Sequence, residues 1–224
     1  MKRSEINALI GSAKEFFRES HFLLPPWAEW EPGEWKGKKK EVQEIVNNML
    51  GWDLTDFGSG NFFKQGLLLF TLRNGRLKKD RKPYAEKIMI VEEMQETPMH
   101  FHWKKMEDII NRGGGNLQME LFNADKDEKL TFTDVSISID GIRNTVPAGT
   151  TITLEPGQSV CLEPGVYHRF WGKQGKGKVL VGEVSSVNDD KKDNRFLDGK
   201  GRFPTIEEDE PPMHLLVSDY SNYL

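Results

Sequence analysis

One cysteine, Cys161, stands among 224 residues. No internal disulfide can form, and no cysteine-rich zinc module can be built. Positive charge is not in surplus: 31 Lys and Arg against 35 Asp and Glu leave a formal net charge of −4. The chain as a whole therefore lacks the basic footprint that a nucleic acid selects. No continuous apolar run opens it. Met1-Lys2-Arg3-Ser4-Glu5 leads into a charged, amphipathic pattern, so neither a signal peptide nor a membrane span is expected, and the reading is a soluble, cytoplasmic protein. Repeats of fixed period and low-complexity tracts are also missing. Histidine is sparse, at positions 21, 100, 102, 168 and 214. Aromatic side chains are plentiful, with six Trp and thirteen Phe, enough for a core or a pocket.

The spacing predicts a helix over residues 4–20. Ile6, Leu9, Ile10, Ala13, Phe16 and Phe17 share one face, and Ser4 is the expected N-cap. Leu23-Leu24-Pro25-Pro26-Trp27 stops it. Trp27, Trp30 and Trp35 then occupy a stretch whose prolines forbid regular helix. These tryptophans either pack an arm onto the main domain or rim a pocket. A second helix is predicted from Lys40 to Leu50, with Val42, Ile45, Val46 and Met49 on its apolar face and Gly51 as its stop. From there the period falls to two. Strands are expected at Gly66–Leu72, Tyr84–Met94, Leu117–Phe122, Val135–Ile139, Thr150–Leu154, Ser159–Leu162, Tyr167–Trp171 and Lys178–Val184. Many short strands with Gly and Pro turns mean a sandwich or a barrel. After Val184 the chain turns polar through residue 195. Phe196, Phe203 and Ile206 suggest that this arm packs, and Leu215-Leu216-Val217 reads as a last short strand.

Two of the histidines alternate along one stretch, Pro98-Met99-His100-Phe101-His102-Trp103-Lys104-Lys105-Met106-Glu107. Side chains two apart on a strand share a face, so His100 and His102 can converge on one point. Glu107 lies far enough along for a short turn to bring a carboxylate back. Two imidazoles and a carboxylate suit a divalent ion such as Mn, Fe, Co, Ni or Zn. His168, on a later strand entered through Pro164-Gly165, is the expected fourth ligand. His21 and His214 are read as structural.

These residues resemble the two motifs of the cupin superfamily. The first pairs H-x-H with a Glu and a later Gly, here His100, His102, Glu107 and the glycines at 113 to 115. The second runs Gly, Pro-Gly, His, here Gly157, Pro164-Gly165 and His168. The pair spans about residues 85 to 185, and the Asn that often follows the second-motif His is missing. A narrower resemblance covers nearly the whole chain. The helical N-terminus, the Met-His-Phe-His-Trp-Lys-Lys-Met-Glu strand, the Asn-Asp-Asp-Lys-Lys-Asp-Asn-Arg-Phe segment and the Glu-Glu-Asp-Glu-Pro-Pro tail resemble bacterial D-lyxose ketol-isomerases. The resemblance implies an all-β cupin fold, a double-stranded β-helix or jelly-roll-like barrel. Residues 1–60 would form a helical arm, 61–187 the barrel and 188–224 a C-terminal arm with a closing strand, in one structural domain. It also implies Mn²⁺, with other divalent transition metals such as Co²⁺ able to substitute, and a homodimer. The implied reaction interconverts D-lyxose with D-xylulose and often D-mannose with D-fructose. The polar segment 188–196 would lie beside the sugar pocket.

Aldose–ketose isomerisation moves a hydrogen between C1 and C2. A metal on the sugar oxygens acidifies the C2–H, and a carboxylate can carry the proton through a cis-enediol. A metal-assisted hydride shift is the alternative route. The candidate acids and bases are Glu107, Glu183, Asp193 and Glu207. Glu183 sits in an apolar strand and points either outward at an edge or inward into a pocket. Lys105 and Lys87 could hold a sugar oxygen or stabilise the enediolate. Asp193 and Arg195 could bind sugar hydroxyls. The same donor set also suits a dioxygenase. A phosphosugar isomerase would call for converging cations, for which Arg143, Arg169 and Arg195 are the scattered candidates. A non-catalytic sugar-binding cupin is the third reading.

Overall fold

The structure is a computed structural model and describes residues 1–187, 189, 192–199 and 205–224. Two antiparallel sheets face each other. The larger has the spatial order β1 (Gly51–Thr55), β2 (Leu67–Arg73), β3 (Tyr84–Val91), β13 (Val179–Ser186), β5 (Glu107–Gly114), β11 (Ser159–Leu162), β8 (Val135–Ile139) and β9 (Ile142–Val146). The smaller runs β10 (Thr151–Leu154), β6 (Leu117–Ala124), β12 (Val166–Gly172), β4 (Thr97–Phe101) and β14 (Arg195–Phe196), with β7 (Leu130–Thr131) beside β6. Successive strands cross between sheets, as β4 to β5 and β12 to β13 do. This is the cupin jelly roll.

Period-two alternation supplies the filling. Met119, Leu121 and Phe170 from the smaller sheet meet Met89, Ile109, Val160 and Val181 from the larger one in a single core. The outer face of the larger sheet is covered as well. Leu68, Phe70, Ile88, Ile90 and Leu180 pack under the apolar stripe of α1 (Arg3–Glu19), made by Ile6, Ile10, Ala13 and Phe17. Each fully buried Ile or Phe in that contact contributes about 1.5–3 kcal/mol. Strands β3 and β13 are thus buried on both faces, which matters for the site below.

The helix begins one residue before its expected start. Glu5 accepts the Lys2 N–H at 2.9 Å and closes the first turn, while the Ser4 hydroxyl donates instead to Asp209 at 2.6 Å. The second helix is shorter than its pattern: α2 covers only Gln43–Asn47. Its apolar residues still pack, because Val42, Ile45, Val46 and Met49 join Trp35, Leu215, Val217 and Tyr220 in a third cluster. The chain then reverses through Met49, at φ +52°, into β1. Trp27, Trp30 and Trp35 fasten the arm. Trp27 lies 5.0 Å from Phe70 and Trp30 meets Trp35 edge-on at 5.3 Å.

Leu215–Val217 makes only a single parallel bridge, Trp52 to Leu216, before the short helix α3 (Tyr220–Tyr223). Ile206 packs against the α1 cluster, whereas Phe203 lies outside the described residues. Among the described residues, no helix is long and apolar enough to cross a membrane.

Candidate metal centre

His100 and His168 are direct partners across β4 and β12, so both imidazoles leave the same inner face. His102 follows the last residue of β4. Each ring is oriented by a backbone carbonyl at its Nδ1: Pro98 O for His100 at 2.8 Å, Asp193 O for His102 at 2.7 Å and Val166 O for His168 at 3.0 Å. A carbonyl can only accept, so each Nδ1 carries a proton, and in the neutral ring Nε2 then keeps the lone pair that can ligate. These ring nitrogens lie within 4.8 Å of one another and are buried.

Glu107, the first residue of β5, faces these histidines across the gap between the sheets. Its Oε1 lies 3.3 Å from His102 Nε2 and 3.2 Å from His168 Nε2. Among the described residues, neither His102 Nε2 nor Glu107 Oε1 has a hydrogen-bond partner, although both are buried. Lone pairs facing lone pairs in a dry pocket are costly, and a cation among them removes the cost. Three imidazoles, with one carboxylate oxygen beside them, are the donor types that a divalent transition metal takes, so these residues fit the ion that the motifs imply. Burial pushes the His100 and His102 imidazoles below their ordinary pKa, helped by His168 at His100 and by Lys105 at His102. Both rings are thus held neutral, the form that ligates. Burial alone would raise the Glu107 carboxyl, but the Lys105 ammonium beside it outweighs burial and holds the group well below the usual carboxylate range.

A second polar cluster adjoins the first. Lys105 Nζ lies 2.5 Å from Glu107 Oε2 and 3.1 Å from Glu183 Oε1. Lys87 Nζ and Ser185 Oγ also reach Glu183 Oε1, each at 3.1 Å. Lys87 and Glu183 are cross-strand partners on β3 and β13 and are only 3% and 5% exposed. Glu183 therefore points inward, one of the two directions its strand allowed. Two ammonium groups and two carboxylates buried together are expensive to assemble, so a pocket that keeps all four points to a chemical role. Phe57, Leu67, Leu69, Met89, Phe170 and Phe196 wall the rest of the cavity.

The other expected residues go elsewhere. Asp193 does not offer its carboxylate to the pocket. Its two oxygens accept the backbone N–H groups of Lys104 and Lys105 at 3.0 and 2.9 Å, while its carbonyl orients His102. Arg195 points away because its neighbour Phe196 takes the inward side of β14 and lies 5.4 Å from His100. The Arg195 guanidinium instead donates to Glu128 at 2.8 Å. Glu207 is exposed, and its backbone pairs with Met1 and Arg3 beside the start of α1. It is not brought to the cluster. Arg169 donates to Glu96 and Glu120 on the outer side, and Arg143 is exposed on β9. Thr97, Asn194 and Phe196 line the pocket without having been singled out as site residues. For Asn194 and Phe196 the signal was the polar segment itself; Thr97 had none.

The whole chain has close relatives. Residues 1–220 match the family described as D-lyxose isomerase. A D-lyxose/D-mannose isomerase from Serratia proteamaculans is 51% identical, and one from Escherichia coli O157:H7 is 50% identical, each over 100% of both chains. A D-lyxose ketol-isomerase from Cohnella laeviribosi is 31% identical over 70% of this chain and 82% of its own. Among solved structures, the L-ribose isomerase of Geodermatophilus obscurus superposes with a TM-score of 0.60 at 18% identity, covering 92% of this chain and 98% of that one. At that identity the likeness speaks to the fold alone.

Proposed function

The chain belongs to the D-lyxose isomerase family, and from that membership we propose that it is a metal-dependent aldose–ketose isomerase interconverting D-lyxose with D-xylulose and D-mannose with D-fructose. The observation that carries the mechanism is the contact between two buried clusters, the His100–His102–His168–Glu107 donor set and the Lys87–Glu183–Lys105 group, in one pocket.

In this reading His100, His102, His168 and Glu107 hold a divalent ion, Mn²⁺ or another transition metal such as Co²⁺, which when bound polarises the sugar carbonyl and acidifies the adjacent C–H. Glu183 takes the proton from C2 of the open-chain aldose. The C–H electron pair becomes the C1=C2 bond of a cis-enediol, and the carbonyl oxygen O1 gains a proton from Lys105. Lys105 then recovers a proton from O2, and Glu183 returns its own to C1, leaving the ketose. Lys87 and Ser185 keep Glu183 in position for both transfers. Asp193 acts through the backbone of residues 102–105 and not on the sugar. The aromatic and aliphatic walls exclude water and strengthen every charge interaction inside. Glu207 and Arg195 have no part in this scheme. A cytoplasmic homodimer completes the proposal.

Two competing chemistries have less support. Among the described residues, no arginine lines the pocket, and both of its lysines engage carboxylates, which does not suit a phosphosugar. Dioxygenation has no use for the Glu183–Lys105 acid–base pair, nor has a pure binding module. Turnover of D-lyxose in D₂O separates the routes. Proton transfer through Glu183 incorporates solvent deuterium into the sugar without oxygen uptake. A product free of deuterium would indicate a hydride shift, and oxygen consumption would indicate a dioxygenase.

A further inference from the structure

Three of the four buried side-chain polar atoms that lack a hydrogen-bond partner among the described residues line this one cavity. Two of them, His102 Nε2 and Glu107 Oε1, belong to the metal set. The third is the hydroxyl of Thr97, which is only 3% exposed. A buried hydroxyl without a partner is costly and calls for an explanation.

Its placement depends on an irregularity. Phe170 pairs with Thr97 and His168 with His100, so between these pairs one residue of β12, Arg169, opposes two of β4, Pro98 and Met99. That is a β-bulge at Pro98–Met99. On a regular strand, residues 97 and 100 would face opposite sides. The bulge turns both inward, and its Pro98 carbonyl also orients the His100 ring. Two residues of strand, about 7 Å, separate the levels of His168 and Phe170. Thr97 therefore sits two strand residues along from the ligand set, a separation that an open-chain sugar can bridge, and it shares the pocket lining with Leu67 and Phe170.

We propose that Thr97 is a substrate-specificity residue whose hydroxyl hydrogen-bonds a distal hydroxyl, at C4 or C5, of a sugar whose C1–C2 end lies at the histidines. The inference rests on the isomerase reading and adds the sugar's orientation and the residue that reads its far end.

The test is steady-state kinetics of wild type, Thr97→Val and Thr97→Ser on D-lyxose and on its 4-deoxy and 5-deoxy analogues, taken as substrates or as competitive inhibitors, with metal content measured alongside. Thr97→Val should lose about tenfold in kcat/KM on D-lyxose, mainly through KM, with full metal content. Thr97→Ser should recover most of that loss. On the analogue that lacks the contacted hydroxyl, wild type and Thr97→Val should become equal. Unchanged kcat/KM for Thr97→Val, an equal loss on every analogue, or loss of metal would overturn the assignment while leaving the isomerase standing. A wild-type protein that turns over no sugar would overturn both.

Discussion

Lys105 sets its ammonium 2.5 Å from Oε2 of Glu107, and that contact leaves Oε1 to the nitrogens of His102 and His168. One carboxylate thus touches both the histidine cluster and the Lys105 ammonium. If Lys105 moves protons, Lys105→Met should lower kcat about 100-fold or more while the protein keeps its metal. Metal analysis and turnover on the same preparation check this. Loss of metal would mean that the ammonium organises the ligands and has no acid–base role.

Glu107→Gln turns the carboxylate into a neutral amide and so removes the anion beside His102 and His168. Metal affinity should fall by more than about 100-fold, beyond what the loss of an outer partner costs. Competition with a metal-binding dye would report it. Retained affinity would remove Glu107 from the donor set.

Asp193 controls His102 from outside. Asp193→Ala frees the two N–H groups of Lys104 and Lys105 and loosens the carbonyl that holds the His102 ring. A loss of about 10- to 100-fold in metal affinity is expected, with Asp193→Asn falling between that variant and wild type. A raised KM for sugar with unchanged metal affinity would return Asp193 to direct substrate binding.

Much of the centre was legible because its residues obey regular geometry. His100 and His102 alternate, Glu107 comes back after a turn, and His168 lies on a strand entered through Pro164-Gly165. Glu183 was ambiguous for a physical reason. With α1 covering the outer face, Leu180 and Val181 are both buried, so alternation along β13 does not mark which side faces the barrel. Lys87 shares that ambiguity through its pairing with Glu183. Arg195 and Asp193 lay in the right segment, but side-chain direction there depends on Phe196 taking the inward side and on two backbone N–H groups claiming a carboxylate. Glu207 was attractive only as a charge, and its backbone is tied to the start of α1. Thr97 stayed hidden because one extra residue in β4 reverses the parity on which strand reading depends. The same kind of local event shortens the second helix, where the turn at Met49 redirects the chain into β1.

The clasp between the two ends of the chain should respond to acid. Arg3 donates to Glu208 at 2.8 and 2.6 Å and to Asp219 at 3.0 and 2.9 Å. The hydrogen bonds from Arg3 hold the Glu208 carboxyl below its ordinary value of 4.5. A folded pKa below the unfolded one gives a contribution that is complete above about pH 4.5 and is lost as the pH falls through the folded value. Glu208 is largely exposed, so its own share is small. Arg3→Met, by contrast, leaves the buried Asp219 without its cation and should lower the melting temperature at pH 7 by several degrees. The small part of the gap to wild type that Glu208 supplies should fade below pH 4.5. A constant gap across that range would mean that the clasp carries no charge-dependent stability.

The most direct test of the central claim is turnover of D-lyxose by protein stripped with EDTA and then resupplied with Mn²⁺. Stripping should abolish formation of D-xylulose and the ion should restore it, with D-mannose converted to D-fructose in the same way. Metal binding with no turnover of either sugar, or turnover that survives complete stripping, would contradict the claim.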